Sequence, residues 1–219
     1  MPGCQKRNRV TTMIIAIEGI DGAGKNTLVR ALTAAFDQPV HVVGFPRYAD
    51  SVHAQLAQEA LYGRMGDLTD SVYGMATLFA LDRHGAAADL RAAQGVVLLD
   101  RYVASNAAYS AARLGDDAVM DWVYELEFER LGIPRPDLQI FLDTDVEVAS
   151  ERATDRAVED RSRAKDRYEL DGGLQHRTAE AYRRLAAREW GSRWIVSADP
   201  AKITKTVLEL VATREVGEK

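Results

Sequence analysis

The segment of this chain best suited to chemistry is a glycine-rich turn with one lysine near its end. Its sequence is Gly19-Ile20-Asp21-Gly22-Ala23-Gly24-Lys25-Asn26-Thr27, with the spacing G-x-x-x-x-G-K. Glycines let backbone N–H groups converge on an anion without clashes from Cβ atoms, and Lys25 adds a full positive charge. All nine residues are therefore predicted to bind the phosphates of a nucleoside triphosphate.

The segments on either side of this turn strengthen that prediction. The apolar run 13–17 before it is typical of a buried strand, and residues from Thr27 onward are typical of a helix. A helix N-terminus at this point adds partial positive charge from its dipole. A glycine-rich turn in an ordinary βα unit is the alternative, but it does not explain a lysine where a β- or γ-phosphate would lie.

One position departs from the usual phosphate-binding loop. The residue after the lysine is normally Ser or Thr, whose hydroxyl binds Mg²⁺, whereas here it is Asn26 with Thr27 one step later. The amide oxygen of Asn26 is a weak ligand, and Thr27 is the alternative if the register shifts by one residue. In either case we expect a magnesium ion to depend on carboxylates elsewhere. Asp21, inside the loop, is the first candidate, and Asp100, at the end of a predicted strand, is another.

The overall composition favours one α/β domain and excludes several classes of protein. The chain has 219 residues, 47% hydrophobic and 28% charged, and a net charge of −5, which argues against general binding to polymeric nucleic acid. The single cysteine, Cys4, excludes a disulfide framework and fits a cytoplasmic setting. No apolar run approaches the roughly 20 residues of a membrane span. We expect residues 1–12 to be a disordered extension and residues 13–215 to form the domain.

Strand and helix patterns alternate along the rest of the chain, which predicts a parallel sheet with right-handed crossovers. Ligands of such sheets bind beyond the C-terminal ends of the strands. The predicted strands are 13–17, 40–44, 96–99, 138–142 and 194–196. The predicted helices are 24–36, 51–61, 68–93, 104–114, 117–131, 146–157, 173–189 and 200–213.

Three further segments each combine an aromatic residue with an arginine. They are Phe45-Pro46-Arg47-Tyr48 after the second strand, Phe79-Ala80-Leu81-Asp82-Arg83 in the long helix, and 100–109 after the third strand. An aromatic face suits a flat base and a guanidinium suits a phosphate, so a second nucleotide is predicted beside the first. Taken singly, Phe79 fits a core stripe, Asp82 and Arg83 fit a solvated helix face, and Asp100 fits a helix cap.

These segments, in this order, carry a resemblance to a known family. The glycine-rich loop, the Phe-Pro-Arg-Tyr element, the segment 76–83 and the stretch 100–109 with its Asp-Arg-Tyr start resemble the motifs of the thymidylate kinases, and the chain is especially similar to actinobacterial forms. The resemblance implies a P-loop fold with a five-stranded parallel sheet in the order 2-3-1-4-5, flanked by helices. It implies transfer of a phosphoryl group from ATP to dTMP with Mg²⁺.

The resemblance also implies roles for individual residues. Phe79 stacks on thymine, Arg83 donates to a thymine carbonyl, Asn106 binds the N3 edge, and Tyr109 packs below the sugar and disfavours a 2′-hydroxyl. Arg101 contacts the acceptor phosphate. The other residues that it implies around dTMP are Asp21, Phe45, Arg47, Tyr48, Ser105 and Tyr168.

The segment 151–169 resembles the family's lid. Some thymidylate kinases carry a catalytic basic residue in the phosphate loop and others carry it in the lid. Because Asn26 is uncharged, Arg152, Arg156 and Arg163 become candidate catalytic residues beside Lys25, Asp21 and Arg101. Tyr168 and Glu169 match a Tyr-Glu pair in which the glutamate helps to hold a metal. The mixed charges of this segment equally fit a solvated helix with i,i+4 ion pairs.

Two other functions compete with this interpretation. A deoxynucleoside kinase would phosphorylate a hydroxyl and would need a carboxylate base, whereas the arginine-rich acceptor region here favours a phosphate. A nucleotide-dependent switch is the second alternative, but the guanine-binding Asn-Lys-x-Asp motif is absent from the sequence. The resemblance further implies a homodimer, for which the apolar segments 51–61, 68–93 and 117–131 could supply a face, although they could equally be core.

Overall fold

The computed structural model describes residues 12–159, 168 and 173–217, with only the backbone of 156–159 and 214–217. The predicted extension at 1–12 therefore lies outside the described residues except for Thr12. Within the predicted lid, Arg163 and Glu169 also lie outside them, as does the side chain of Arg156.

Five parallel strands form one sheet in the order β2-β3-β1-β4-β5, which confirms the predicted architecture. The strands are β1 (Met13–Glu18), β2 (Val40–Gly44), β3 (Val96–Asp100), β4 (Leu138–Leu142) and β5 (Arg193–Ser197). Asp100 lies opposite Ile17 on one side and Gly44 on the other. The C-terminal ends of the three strands are therefore aligned at one edge, and the loops that follow them meet there.

Helices cover both faces of the sheet, so that β1, β3 and β4 are buried, as expected of central strands in a parallel sheet. Leu28 and Val207 belong to the core on one face, and Ala107 and Tyr182 to the core on the other. The helices are α1 (Lys25–Ala35), α2 (Val52–Leu61), α3 (Val72–Ala92), α4 (Val103–Leu114), α5 (Ala118–Tyr124), α6 (Val146–Glu159), α7 (Leu174–Ala187) and α8 (Pro200–Gly217).

Two predicted helices differ from the structure. The helix predicted over 68–93 is a short 3₁₀ turn, Leu68–Asp70, followed by α3, because extended Ser71 interrupts it and its hydroxyl accepts a hydrogen bond from Gly74 N. The helix predicted over 117–131 is α5 followed by a π-helical turn, Glu125–Arg130. Single π-helical turns inside helices often occur at functional sites, and this one carries a fully buried glutamate, Glu127.

Candidate active site

The glycine-rich loop joins β1 to α1 in the conformation that the sequence predicts. Gly22 has a φ of +82°, and a Cβ there would lie 1.8 Å from the carbonyl oxygen of Ala149, so this position requires glycine. Gly24, also left-handed at φ +98°, precedes the first residue of α1, Lys25. The free N–H groups of the first helical turn therefore face the loop, where they can bind an anion.

Lys25 is held inside this loop by its own backbone. Its Nζ donates to the carbonyl oxygens of Gly19, at 3.1 Å, and Ile20, at 2.9 Å. Removal from water and the nearby Arg101 lower the pKa of Lys25 to about 8, although Asp21 opposes the shift. A lysine ammonium has three donors, so one remains for a phosphate oxygen.

Arg101 and Asp21 form the centre of the site. Arg101 lies directly after β3 with a left-handed backbone, φ 65°, and its N–H donates to Ile17 O at 2.9 Å. Its guanidinium donates to Asp21 Oδ1 at 2.5 Å and to Gly19 O at 2.9 Å. Burial alone would raise the pKa of Asp21, but Arg101 and then Lys25 outweigh it and hold the pKa well below its usual value. Asp21 therefore stays ionised at neutral pH and orients Arg101.

Glu18, the last residue of β1, supports this centre, and the sequence analysis did not identify it. Its side chain is fully buried and accepts hydrogen bonds from Tyr102 N at 2.9 Å, Ser105 Oγ at 2.6 Å and Tyr182 Oη at 3.2 Å. Burial raises its pKa, and the Ser105 hydroxyl opposes that shift. Because Glu18 holds the residue after Arg101, it helps to fix the left-handed turn. The sequence feature that could have identified Glu18 is a charged glutamate at the end of an otherwise apolar strand.

Two cavities open at this edge of the sheet, and we call them the donor-side and acceptor-side cavities. The donor-side cavity is lined by residues 21–27 of the loop together with Arg30, Gly44, Phe45, Pro46, Tyr48, Asp100, Arg101, Arg152, Asp155, Ala198 and Pro200. The acceptor-side cavity is lined by Asp21, Phe45, Pro46, Tyr48, Leu61, Met75, Ala76, Phe79, Arg83, Arg101, Ser105, Asn106, Tyr109, Ser110 and Tyr168. The two cavities share Asp21, Phe45, Pro46, Tyr48 and Arg101, and therefore meet at the Asp21–Arg101 pair.

The inner end of the acceptor-side cavity is polar. Arg83 is almost fully buried and donates from Nε to Glu127 Oε2 at 2.6 Å and from Nη2 to Glu127 Oε1 at 2.7 Å. Asn106 donates from Nδ2 to the same Oε1 at 2.8 Å and to Ala76 O at 2.9 Å. The structure thus brings the two predicted base-binding residues together on Glu127, which the sequence analysis missed. Glu125 and Glu129 flank Glu127 in the sequence, and no pattern distinguishes it from them.

Aromatic rings form the walls of this cavity. Phe79 packs beside a small apolar cluster that contains Leu61 and Met75. Tyr109 and Tyr168 are stacked, with ring centroids 6.2 Å apart and 14° between planes. Arg113, absent from the predicted site, donates to Tyr168 Oη at 2.5 Å. The Tyr109 hydroxyl donates to Asp21 Oδ2 at 3.2 Å, so this wall is tied to the phosphate end of the cavity.

Arg47 is the one described residue of the predicted dTMP set that lines neither cavity. Its side chain turns to Asp82, donating from Nε to Oδ1 at 3.0 Å and from Nη2 to the backbone oxygen at 2.5 Å. Its backbone N also donates to Asp82 Oδ2, at 3.0 Å. Its contact with an acceptor phosphate stays a prediction. Asp82 is buried here, not part of a solvated helix face.

The carboxylates near the loop are compatible with magnesium. Asp100 lines the donor-side cavity, and its buried Oδ1 has no hydrogen-bond partner within the described part of the chain. Both oxygens of Asp21 already accept hydrogen bonds, from Arg101, Tyr109 and Gln175. Among the described residues no group of three or more His, Cys, Asp or Glu could hold a metal ion. Mg²⁺ usually binds one or two carboxylates together with water and substrate phosphates, so this sparse donor set fits it.

A phosphate-binding loop after β1, parallel strands in this order, and a second cavity at the same edge define a P-loop nucleoside monophosphate kinase. The family model described as "Thymidylate kinase" matches residues 17–207. The chain belongs to the thymidylate kinase family, and its activity is the ATP-dependent phosphorylation of dTMP to dTDP. This result excludes the two alternatives, a deoxynucleoside kinase and a nucleotide-dependent switch.

Individual relatives agree with the family assignment. The chain is 52% identical over 207 residues to thymidylate kinase from Mycobacterium tuberculosis, a match that covers 89% of this chain and 97% of the relative. This match confirms the predicted similarity to actinobacterial forms. It is 33% identical over 186 residues to a probable thymidylate kinase from Thermococcus onnurineus. This match covers 80% of this chain and 85% of that relative.

The fold also has a counterpart among solved structures. Thymidylate kinase from Candida albicans superimposes with a TM-score of 0.72 at 23% identity, covering 93% of this chain and 92% of that one. In the part of the chain that the structure describes, no helix combines the length and apolar character needed to cross a membrane.

Proposed function

We propose that ATP occupies the donor-side cavity and dTMP the acceptor-side cavity, and that one in-line transfer occurs where the two cavities meet. The observation that carries this proposal is the shared wall at Asp21 and Arg101. A ligand in each cavity would bring its phosphate end to that wall. Holding two reactants in this way replaces a bimolecular encounter by a step within one complex.

On the donor side, the nine loop residues 19–27 would bind the triphosphate of ATP. Backbone N–H groups of the loop and of the first turn of α1 would donate to its oxygens, and Lys25 would neutralise the β- and γ-phosphates. The two carbonyls that hold Lys25 fix its ammonium in advance. Such preorganised charge stabilises the transition state without the cost of reorganisation during the reaction.

On the acceptor side, Arg101 would hold the phosphate of dTMP. Its pairing with Asp21 fixes the guanidinium, and an oxygen of the dTMP phosphate then attacks the γ-phosphorus of ATP as the bond to ADP breaks. No general base is required, since the acceptor phosphate is already ionised near neutral pH. Tyr48, Phe45 and Arg47 complete the predicted surroundings of this phosphate, although the Arg47 side chain is paired with Asp82 and lines neither cavity.

A magnesium ion would be held by Asp100, with Asp21 and Glu169 as further candidates. Asp100 is the best supported of the three because a buried carboxylate oxygen without a partner among the described residues is costly unless a ligand satisfies it. When bound, the metal would neutralise negative charge on the phosphates of ATP.

The base would be recognised at the inner end of the acceptor-side cavity. Phe79 would stack on thymine, Arg83 and Asn106 would bind its polar edge, and Tyr109 would crowd the 2′ position of the sugar. Ser105 and Tyr168 line the same cavity, which supports their inclusion in the dTMP site.

Replacing Arg83 by alanine is expected to raise KM for dTMP by about tenfold or more, because the variant loses a charged hydrogen-bond donor to the base. KM for ATP should stay nearly unchanged, since Arg83 lines only the acceptor-side cavity. Steady-state kinetics with each substrate varied in turn measures both constants. Arg91→Ala, in the same helix but outside both cavities, is the matched control, and an unchanged KM for dTMP in Arg83→Ala would contradict the assignment.

A lid arginine is expected to supply the catalytic cation that uncharged Asn26 does not. Arg152 supports this, since it lines the donor-side cavity on α6 with Asp155, while Arg156 and Arg163 remain candidates by the resemblance. Arg163→Ala, tested first, and Arg152→Ala should lower kcat far more than either KM, which indicates an interaction made mainly in the transition state. Adding Asn26→Arg to the impaired variant should recover part of the rate.

Single-turnover rates with saturating ATP and dTMP would measure this effect most directly. Arg193→Ala, an exposed arginine at the start of β5, is the control. If every single lid-arginine variant keeps kcat within about threefold of wild type, the change in activation free energy is well under about 1 kcal/mol, and the lid does not supply the cation. The segment 151–169 would then be the solvated, ion-paired helix of the alternative.

We further propose a cytoplasmic homodimer whose domain spans residues 13–215, preceded by an extension at 1–12. Large apolar side chains are exposed on two of the predicted dimer segments: Val52 is 59% exposed, Leu56 36% and Tyr73 47%. Tyr73 also packs edge-on against Trp122 of the third segment, with ring centroids 4.7 Å apart. Exposed apolar side chains on these segments support association of two copies.

A further inference from the structure

We propose that Glu127 is a positioning residue that determines base specificity, because its carboxylate fixes which polar atoms of Arg83 and Asn106 face the base. This inference rests on the proposed binding of thymine by those two residues. It assigns to the π-helical turn Glu125–Arg130 a role in selecting the substrate.

The orientation of the Asn106 amide follows from its neighbours. Both atoms near its Nδ2, Ala76 O at 2.9 Å and Glu127 Oε1 at 2.8 Å, are hydrogen-bond acceptors, so the amide atom that contacts them must be the NH₂ group. These two contacts use both N–H donors. The remaining polar atom, Oδ1, is an acceptor, and Asn106 lines the acceptor-side cavity.

Glu127 also determines what Arg83 can offer. Its two oxygens bind Nε and Nη2 of the guanidinium in a fork, with both residues almost fully buried. This pairing holds the guanidinium plane in one orientation and leaves Nη1 as the nitrogen available to a ligand. The inner end of the cavity therefore presents one donor, from Arg83, beside one acceptor, from Asn106.

A donor beside an acceptor matches one class of pyrimidine edge. Thymine and uracil present a carbonyl acceptor at position 4 next to an N3–H donor, whereas cytosine presents an amino donor next to an N3 acceptor. Cytosine therefore mismatches both protein groups, and each would be left unpaired in a buried site. The network therefore selects the carbonyl and N3–H edge of thymine or uracil over the amino and N3 edge of cytosine.

Ala76 O and an acceptor at position 127 together keep this arrangement. A carboxylate has no N–H, so it repels the Asn106 oxygen and prevents the amide from turning over. An amide of the same shape, as in Glu127→Gln, can donate to Asn106 Oδ1 and allow Nδ2 to face the base. The same substitution gives Arg83 a weaker, neutral partner.

The test is kcat/KM for dTMP and for dCMP, with ATP saturating, in Glu127→Gln. The specificity ratio, kcat/KM for dTMP divided by kcat/KM for dCMP, is expected to fall by about 10- to 100-fold. KM for ATP should stay unchanged. Glu129→Gln is the matched control, since this exposed glutamate of the same turn pairs with exposed Arg135 and should keep the wild-type ratio. A native melting curve for Glu127→Gln together with an unchanged ratio would overturn the inference.

Two further sets of variants separate the possible failures. Arg83→Ala and Asn106→Ala test base binding itself. If both keep the wild-type ratio, the proposed dTMP site fails. If both lower the ratio and Glu127→Gln does not, only the role of Glu127 fails.

If Glu127→Gln does not fold, Glu127→Asp replaces it. Aspartate remains an acceptor only, so the ratio should stay within about threefold while both kcat/KM values fall. A collapse of the ratio in Glu127→Asp would overturn the inference.

Discussion

Replacing Lys25 by alanine is expected to lower kcat by about 100- to 1,000-fold and to leave the fold intact, since a preorganised charge near the transferring phosphates is lost. Lys25 is the first residue of α1, and two loop carbonyls hold its ammonium in place. Lys25 itself lines the donor-side cavity, so water can enter the space that the variant opens and replace the lost donor to these two carbonyls. The effect should therefore appear in the rate and not in stability.

A coupled ADP-release assay and a thermal melt of the same preparation would measure the two quantities. Lys205→Ala, on α8 and away from both cavities, is the control for removing a lysine. A Lys25→Ala variant with near wild-type kcat and a native melting curve would contradict the assignment of the loop.

The pH dependence of wild-type enzyme provides a second measurement of Lys25. Removal from water lowers its pKa to about 8, so the free enzyme carries this charge below pH 8 and loses it above. An anion binds the protonated ammonium, and kcat/KM for ATP should therefore decrease as pH rises through about 8, by up to tenfold per unit. Lys25→Ala should lack this decrease, and a wild-type profile that is flat up to pH 10 would contradict the role of Lys25.

The sequence was sufficient to predict the strands and the loop because both depend on local patterns, whereas the sheet order was implied by the resemblance to the thymidylate kinases. The G-x-x-x-x-G-K spacing constrains a turn whose glycines have no substitute, and Gly22 lies too close to Ala149 for any Cβ. Apolar patterns of three to five residues likewise predicted the strands. The break at Ser71 was missed because one capping hydroxyl decides it within an otherwise continuous helical pattern.

Buried charges could not be predicted because each depends on a partner far away in the sequence. Arg83 and Glu127 are 44 residues apart, and Arg47 and Asp82 are 35 apart. A charged residue in a helix normally predicts an exposed position, since burial without a partner is costly. Only the fold brings each pair together, and so the sequence indicated Arg83 but not the glutamate that orients it.

The enzyme is expected to prefer dTMP over dCMP by about 10,000-fold in kcat/KM, because a site that binds a base through buried polar groups leaves them unpaired with the wrong base. Arg83 and Asn106 provide those groups, and Glu127 holds both in place. A substrate panel of dTMP, dCMP and UMP with ATP as donor would measure the preference. Comparable kcat/KM values for dTMP and dCMP would contradict it.

UMP separates recognition of the sugar from recognition of the base, since uracil presents the same polar edge as thymine. Its rejection must come from the missing methyl group and from the 2′-hydroxyl, which Tyr109 is proposed to crowd. The Tyr109 ring is stacked on Tyr168, and its hydroxyl donates to Asp21, so it cannot move aside without breaking both contacts. Tyr109→Phe should keep the ring and hence the discrimination against UMP, whereas Tyr109→Ala should lose it. Equal UMP discrimination in both variants would show that the ring is not the group that excludes the hydroxyl.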